Sequence, residues 1–400
     1  MKNIKLSLLF LLALAVQCVP QPASSSGDSP SAEDNLQKRS VLTGADQLDL
    51  ILPGLQNKNI ALVVNHTSLV GDTHLTDTLI SAGVTIKKVF APEHGFRGTA
   101  ADGEKISDGI DGKTGLPVVS LYGSNRKPTP EQLADVDLVI FDIQDVGTRF
   151  YTYISTMHYV MEACSEQGKK LIILDRPNPN GHYIDGPMRV PALKTFVGMH
   201  PIPIVHGLTV GELAQMINGE GWLENGGECD VEIIPVKNWR HDNLYSLPVK
   251  PSPNLPNDQA VRLYPSLCLF EGTVISVGRG TETPFLIIGN PEFKDMRFSF
   301  TPKAIPGMSN YPPHENKVCY GLDLRDVNVQ PRIDLKYLLD FYRKYPDKEN
   351  FFGGSFDRLA GTPGLKEQIK QGLTEEQIRE TWQEDLVAYR EMRKKYLLYP

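Results

Sequence analysis

The segment Leu138-Val-Ile-Phe-Asp-Ile-Gln-Asp-Val-Gly-Thr-Arg149 passes from four apolar residues straight into Asp142, Asp145 and Arg149. An apolar run without alternation is the pattern of a strand covered on both faces, as in a parallel sheet. Two other runs share this form. Val84-Thr-Ile-Lys-Lys-Val-Phe90 leads into Ala91-Pro-Glu-His-Gly-Phe-Arg97, and Leu171-Ile-Ile-Leu174 leads into Asp175-Arg-Pro-Asn178. Outward from these, the order reads strand (60–64), helix (74–81), strand (84–90), strand (116–121), strand (138–143), helix (153–167) and strand (170–174). Such alternation predicts an α/β fold with a doubly wound, Rossmann-like, mostly parallel sheet. The turn after the first strand, Asn65-His-Thr-Ser-Leu-Val-Gly71, has no G-x-G-x-x-G, which argues against a dinucleotide site. Gly112-Lys-Thr114 lacks the leading glycine and the preceding strand of a phosphate loop.

Past a Pro-rich crossing after Pro177-Asn-Pro-Asn-Gly181, the pattern gives a helix (209–218) and a strand (231–236). Pro251-Ser-Pro-Asn-Leu-Pro256 is rigid and non-helical, suited to a domain seam or a cleft wall. Glu271-Gly-Thr-Val-Ile-Ser-Val-Gly-Arg-Gly-Thr281 reads as a strand between glycine turns. Apolar segments (285–288 and 318–324) and helices (335–342, 365–371 and 375–396) follow, the last opened by the capping box Thr374-Glu-Glu-Gln377. These form a smaller C-terminal α/β unit. The expected divisions are a signal segment (1–18), a Ser/Pro-rich tether (19–40), the Rossmann-like catalytic domain (41–208) and the C-terminal α/β domain (209–400). The Gly- and Asp-rich stretch 98–116 is either a lid or a surface excursion.

The 400 residues are 40% hydrophobic, enough for one large core or two medium ones. A net charge of -7, with no cluster of Lys and Arg interleaved with aromatics, speaks against a nucleic-acid partner. Met1-Lys-Asn-Ile-Lys5 followed by the apolar 6–16 has the form of a secretory signal. Ala13-Leu-Ala15 suits ordinary cleavage, and Ala15-Val-Gln-Cys18 resembles a degraded lipobox with Cys18 lipidated. Export to the periplasm is expected, as a soluble protein or as an outer-membrane-associated lipoprotein attached through Cys18. Cys164, Cys229, Cys268 and Cys319 show no C-x-x-C and no zinc spacing, so free core thiols are expected.

Ionisable groups beside continuous apolar runs are either paired or functional. A structural ion pair or a helix cap accounts for Asp142 or Asp175 taken singly, and a polar turn for 90–97, whereas the cluster of strand ends points to a site. Glycoside hydrolysis needs a carboxyl group held protonated as general acid and a second carboxylate, or the substrate's acetamido group, opposite it. Glu93 lies among Phe90, Pro92 and Phe96, with Asp142, Asp145 and Glu271 as candidates for the second role. His94 with Asp142, Asp145 or Asp175 offers a metal set, but no H-x-H or H-E-x-x-H occurs, and neither a metal nor a cofactor is expected. No G-x-S-x-G elbow is present.

The strings N-H-T-S from Asn65, E-H-G-F-R-G from Glu93, F-D-I-Q-D-V-G-T-R-F-Y-T-Y from Phe141, L-D-R-P-N-P-N-G from Leu174, P-S-P-N-L-P from Pro251 and E-G-T-V-I-S-V-G-R-G-T from Glu271 resemble the exo-β-N-acetylmuramidase family, formerly a domain of unknown function. The resemblance runs from about Leu50 to the C-terminus. It implies release of terminal N-acetylmuramic acid from the non-reducing ends of peptidoglycan-derived muropeptides or disaccharides, with the site in a cleft between the two domains. It also implies Glu93 as the leading catalytic carboxylate, with Asp142, Asp145 and Glu271 near the same cleft. Substrate contacts are expected from Asn65, His94 and Asp175, and from Tyr151, which suits either a stacking face or the core. Muramic acid carries a lactyl carboxylate, best held by a bidentate guanidinium. The candidates are Arg149, Arg279 and Arg97, in that order. Asn257-Asp258 departs from the Thr expected shortly after Pro256. A glycan-binding surface lipoprotein without catalysis and a metal-assisted hydrolase of a modified sugar are the competing functions.

Overall fold

Val, Ile and Leu dominate the expected strands, and their branched side chains suit a sheet covered on both faces. In the computed structural model, which describes residues 40–98 and 108–400, these runs become β1 (Asn59–Val64), β4 (Thr85–Ala91), β6 (Pro117–Ser120), β7 (Leu138–Asp142), β8 (Lys170–Leu174) and β9 (Val231–Ile234). Short β2 (Leu69–Val70) and β3 (Thr73–His74) form a hairpin, and β5 (Gly109–Ile110) joins the sheet edge. The expected signal segment, Cys18, the tether as far as Arg39 and part of the expected lid (99–107) lie outside the described residues.

The seven-stranded sheet has the order β5-β6-β4-β1-β7-β8-β9, parallel except at β5. Its parallel strands, renumbered along the chain, run 3-2-1-4-5-6, the doubly wound order whose direction reverses between the first and fourth. That reversal falls between β1 and β7, where Val64 pairs with Asp142. The helix Tyr153–Gln167 covers one face and stops at Gly168, whose left-handed φ of 60° lets its N–H return to the carbonyls of Cys164 and Ser165.

Helix Val210–Gly219 and strand β9 continue this sheet layer, so it runs past the boundary expected at residue 208. Asp175, at the end of β8, fixes the helix: its carboxylate accepts from Thr209 Oγ1 (2.7 Å) and Gly211 N (2.8 Å). It also accepts from the Tyr399 hydroxyl at 2.5 Å and from Arg176 N at 3.0 Å.

Beyond this layer, β10 (Ile287–Asn290), β11 (Phe298–Phe300) and β12 (Cys319–Asp323) form a small antiparallel sheet in the order β10-β12-β11, accompanied by helices. The strand expected over 271–281 is not formed. A 3-10 turn, Cys268–Gly272, is followed by isolated bridges from Thr273 to Phe352 and Ser276 to Gly289, and Gly278 and Gly280 turn the chain at φ values of 80° and 79°. The long last helix is two, Glu375–Glu380 and Gln383–Lys394, and the Thr374 capping box opens the first. One hydrophobic core runs unbroken from Val63, Phe90 and Phe141 to Phe270, Phe341 and Tyr389, so both sheets share an interior. Cys164, Cys229, Cys268 and Cys319 are free and buried, the first three within this core.

Burial pushes the Asp175 carboxyl up to about 6, against the donors that favour its charged form. A raised folded-state value stabilises the fold below the unfolded value near 3.8, and that contribution is lost as pH rises through 6. Urea unfolding of wild type and Asp175→Asn should show wild type losing on the order of 1 kcal/mol relative to the variant between about pH 5 and pH 8. A pH-independent difference would contradict the assignment.

Candidate active site

After β4 the chain must leave the sheet within Pro92-Glu-His-Gly95. It does so with two successive left-handed residues, His94 at φ 68° and Gly95 at φ 77°, closed by a 2.9 Å bond from Gly95 N to the Pro92 carbonyl. Glycine adopts this conformation freely, while a non-glycine residue costs about 1–2 kcal/mol there, strain that collects at functional turns. The turn presents Glu93 to a cleft that His94, Tyr151, Thr152, Glu271 and Arg279 also line. Glu93 Oε2 accepts from Thr152 Oγ1 at 2.8 Å, and its backbone carbonyl accepts from the Tyr153 hydroxyl at 3.4 Å.

The lining also draws on the Pro-rich segment and the residues after it. Ser252, Asn254 and Leu255 are followed by Tyr264 and Cys268 around the end of helix Asp258–Leu267. Asn257 starts that helix by accepting from Ala260 N at 3.0 Å. Glu271 Oε1 receives a close bond from Arg279 Nε, and Oε2 faces Cys268 Sγ at 3.6 Å. Burial, then the Glu271 charge, pushes the Cys268 thiol well up, which keeps it a protonated donor. Tyr264 meets Tyr151 and Phe285 edge to face at centroid distances of 5.9 and 4.9 Å, giving the cleft an apolar aromatic floor. Tyr151 donates to the Pro251 carbonyl at 2.7 Å, and burial pushes its hydroxyl well up, so it is a neutral wall residue whose ring joins the floor.

Of the residues singled out from sequence, Glu93, His94, Tyr151, Glu271 and Arg279 line this cleft, and six others are not among the lining residues. Asp142 is fully buried and takes a bidentate pair from Arg176 at 2.5 and 2.9 Å. Burial drives its carboxyl up while Arg176 pulls it back, so this strand end is an internal ion pair rather than a second catalytic carboxylate. Asp145 Oδ2 accepts from Gly147 N at 2.6 Å and lies 3.7 Å from His206 Nε2, shaping the loop after β7. Asn65 Oδ1 accepts from Thr67 N and Oγ1 at 2.9 and 2.6 Å, organising the turn after β1. Asp175 is spent on the helix start already described.

The arginine order also changes. Arg97 grips Asp111 at 2.9 and 3.2 Å and lies 4.2 Å from the Phe96 ring centroid, holding the Asp111 carboxyl down at about 2. Arg149 is wholly buried, with four bonds to backbone carbonyls: Pro187 and Ile202 at 2.8 and 2.7 Å, Leu359 and Ala360 at 3.0 and 2.7 Å. Burial pulls it down to about 9, still cationic at neutral pH, and the partial negative charge at a helix end supplies part of its balance. It is a structural clamp, and of the three candidates Arg279 alone lines the cleft. Thr152, Tyr264 and Cys268 were missed from sequence. The available signal was Asn257-Asp258 before apolar residues at 260, 261, 263 and 264, a capped helix obscured by Pro265.

The family model for the N-terminal part of the exo-beta-N-acetylmuramidase NamZ matches residues 60–259, and that for its C-terminal part matches residues 262–399. The chain is 38% identical, over 418 residues and 98% of each sequence, to the peptidoglycan beta-N-acetylmuramidase NamZ of Bacillus subtilis (strain 168). Two crystal structures of DUF1343 family proteins from Bacteroides fragilis NCTC 9343 are similar. One has a TM-score of 0.84 at 45% identity and the other 0.77 at 29%, each over 90% of this chain and 99% of its own.

Replacing Arg149 by Met should strand four buried carbonyls and lower unfolding stability by about 3 kcal/mol or more, read as a fall in the urea midpoint. Arg97→Ala, at a partly exposed pair, should change it by about 1 kcal/mol or less. Arg149→Met with a wild-type midpoint but lost substrate affinity would return Arg149 to the site.

Proposed function

The chain belongs to the exo-β-N-acetylmuramidase family, and from that membership we propose that it releases N-acetylmuramic acid from the non-reducing ends of peptidoglycan fragments. The observation that carries the reading is that Glu93 and Glu271 line one cleft, shared with the rings of Tyr151, Tyr264 and Phe285, with Arg279 beside the second carboxylate. Glu93 serves as general acid, protonating the glycosidic oxygen as the bond to the sugar breaks, and as base toward the incoming water. Among the described residues no ion pair involves Glu93, whereas Glu271 is engaged by Arg279. That division suits one group to trade a proton and the other to remain a carboxylate facing the anomeric carbon or orienting the acetamido group.

Arg279 is the proposed anchor for the lactyl carboxylate. A guanidinium presents a planar fork of N–H donors matched to a carboxylate, and Arg279 lines the same cleft as Glu93. His94, on the same turn as Glu93, and Tyr151 complete the sugar site. Export, anchoring through lipidated Cys18 and a role in wall turnover belong to the same proposal. Their support is the basic and apolar start of the chain with its lipobox-like Ala15-Val-Gln-Cys18.

Paired nitrophenyl β-glycosides of N-acetylmuramic acid and N-acetylglucosamine, assayed with chelator present, should release nitrophenol from the muramyl compound alone. Glu93→Gln should slow cleavage of a disaccharide with terminal N-acetylmuramic acid by about 100- to 10,000-fold. Arg279→Lys should raise KM for muramyl substrates by about 10-fold or more, since an ammonium loses the fork. Absence of turnover on either glycoside, with retained binding of wall fragments, would favour the glycan-binding alternative.

A further inference from the structure

Thr152 occupies the N-cap of helix Tyr153–Gln167, where a threonine hydroxyl ordinarily accepts from a backbone N–H one turn ahead and so stabilises the helix. Here it does not. The Thr152 backbone is already in the right-handed helical region, at φ -75° and ψ -11°, and its side chain makes no capping bond. The N–H groups of Ser155 and Thr156 are taken instead by its carbonyl, both at 3.0 Å. The hydroxyl is thereby released to the cleft, where it donates to Glu93 Oε2 at 2.8 Å. From the next residue, the Tyr153 hydroxyl reaches the carbonyl of the same glutamate at 3.4 Å. One helix start thus holds both the backbone and the carboxyl of a residue whose turn is forced through a left-handed histidine.

We infer that Thr152 is the positioning residue of the acid step, selecting which oxygen of Glu93 carries the transferable proton. The inference rests on the general-acid role proposed for Glu93. With Oε2 accepting from Thr152, the carboxylic proton resides on Oε1. In the cleavage step that proton passes to the glycosidic oxygen, the carbon–oxygen bond breaks with its electron pair going to that oxygen, and Glu93 becomes a carboxylate. The Thr152 bond then turns from neutral to charge-assisted, so it strengthens as the transition state is approached and favours the step itself over binding of the substrate. The positive end of the fifteen-residue helix acts in the same direction.

The test uses the full chain with phenyl and dinitrophenyl β-glycosides of N-acetylmuramic acid, because a phenol that leaves readily needs little protonation. Thr152→Val should lower kcat/KM on the phenyl glycoside by about 10- to 100-fold, the range for losing a bond to a charged group, and on the dinitrophenyl glycoside by about 3-fold or less. Thr152→Ser, which keeps the donor, should return the phenyl value to within about 3-fold of wild type. Equal losses on both glycosides would make Thr152 merely structural and overturn the inference. So would an unchanged phenyl value in Thr152→Val while Glu93→Gln shows the leaving-group split. Glu93→Gln with wild-type activity on the phenyl glycoside would instead remove the general-acid assignment, and the inference with it. Thr152→Ala supplies the same reading if the Val protein does not fold.

Discussion

A sheet buried on both faces has no room for charge except where its strands end. Every ionisable group that the central strands of this protein carry toward their carboxyl ends must therefore either find an internal partner or open onto a cavity. Asp142 and Asp175 take the first course, one in an ion pair with Arg176 and one at the start of a helix. Glu93 takes the second. The same constraint that makes the strands recognisable as apolar runs thus crowds the strand ends with chemistry, while the strand order reverses between β1 and β7.

Which strand ends brace the fold and which open onto the cleft is decided far from the strands themselves. The apolar runs and the helix Tyr153–Gln167 were legible because each is set by local periodicity. The sorting of the carboxylates was not, because the partner of Asp142 lies 34 residues on and the acceptors of Arg149 include carbonyls 210 and 211 residues on. A motif in sequence shows that a charge sits at a strand end, but its hydration, or the lack of it, is a property of the packed structure. Arg149 illustrates this most sharply. Its place after β7 suggested a ligand contact, and its burial makes it a clamp. Glu93 was readable for the opposite reason, since the Pro and Gly around it announce a turn tight enough to present a side chain.

The cleft joins two kinds of surface. The sheet side supplies Glu93 on a strained turn and a helix N-terminus to hold it. The later part of the chain supplies aromatic rings and the Glu271–Arg279 pair. That pair sits in a segment with extended-strand composition, yet Gly278 and Gly280 bend it out of the sheet. The glycines that defeated the strand reading bring Arg279 back beside Glu271.

Arg149 also bears on how this architecture can be divided. Two family models meet near residue 260, which invites treatment of the halves as exchangeable modules. The guanidinium belongs to the first half, while two of its acceptors, at Leu359 and Ala360, belong to the second, and Gly361 leaves no space for a Cβ beside it. A chimaera that joins halves from two homologues must therefore inherit the cation, the helix end and the glycine together. Recombination that separates them would leave a buried positive charge facing an unprepared surface, so the halves are interlocked at this point although they match two family models.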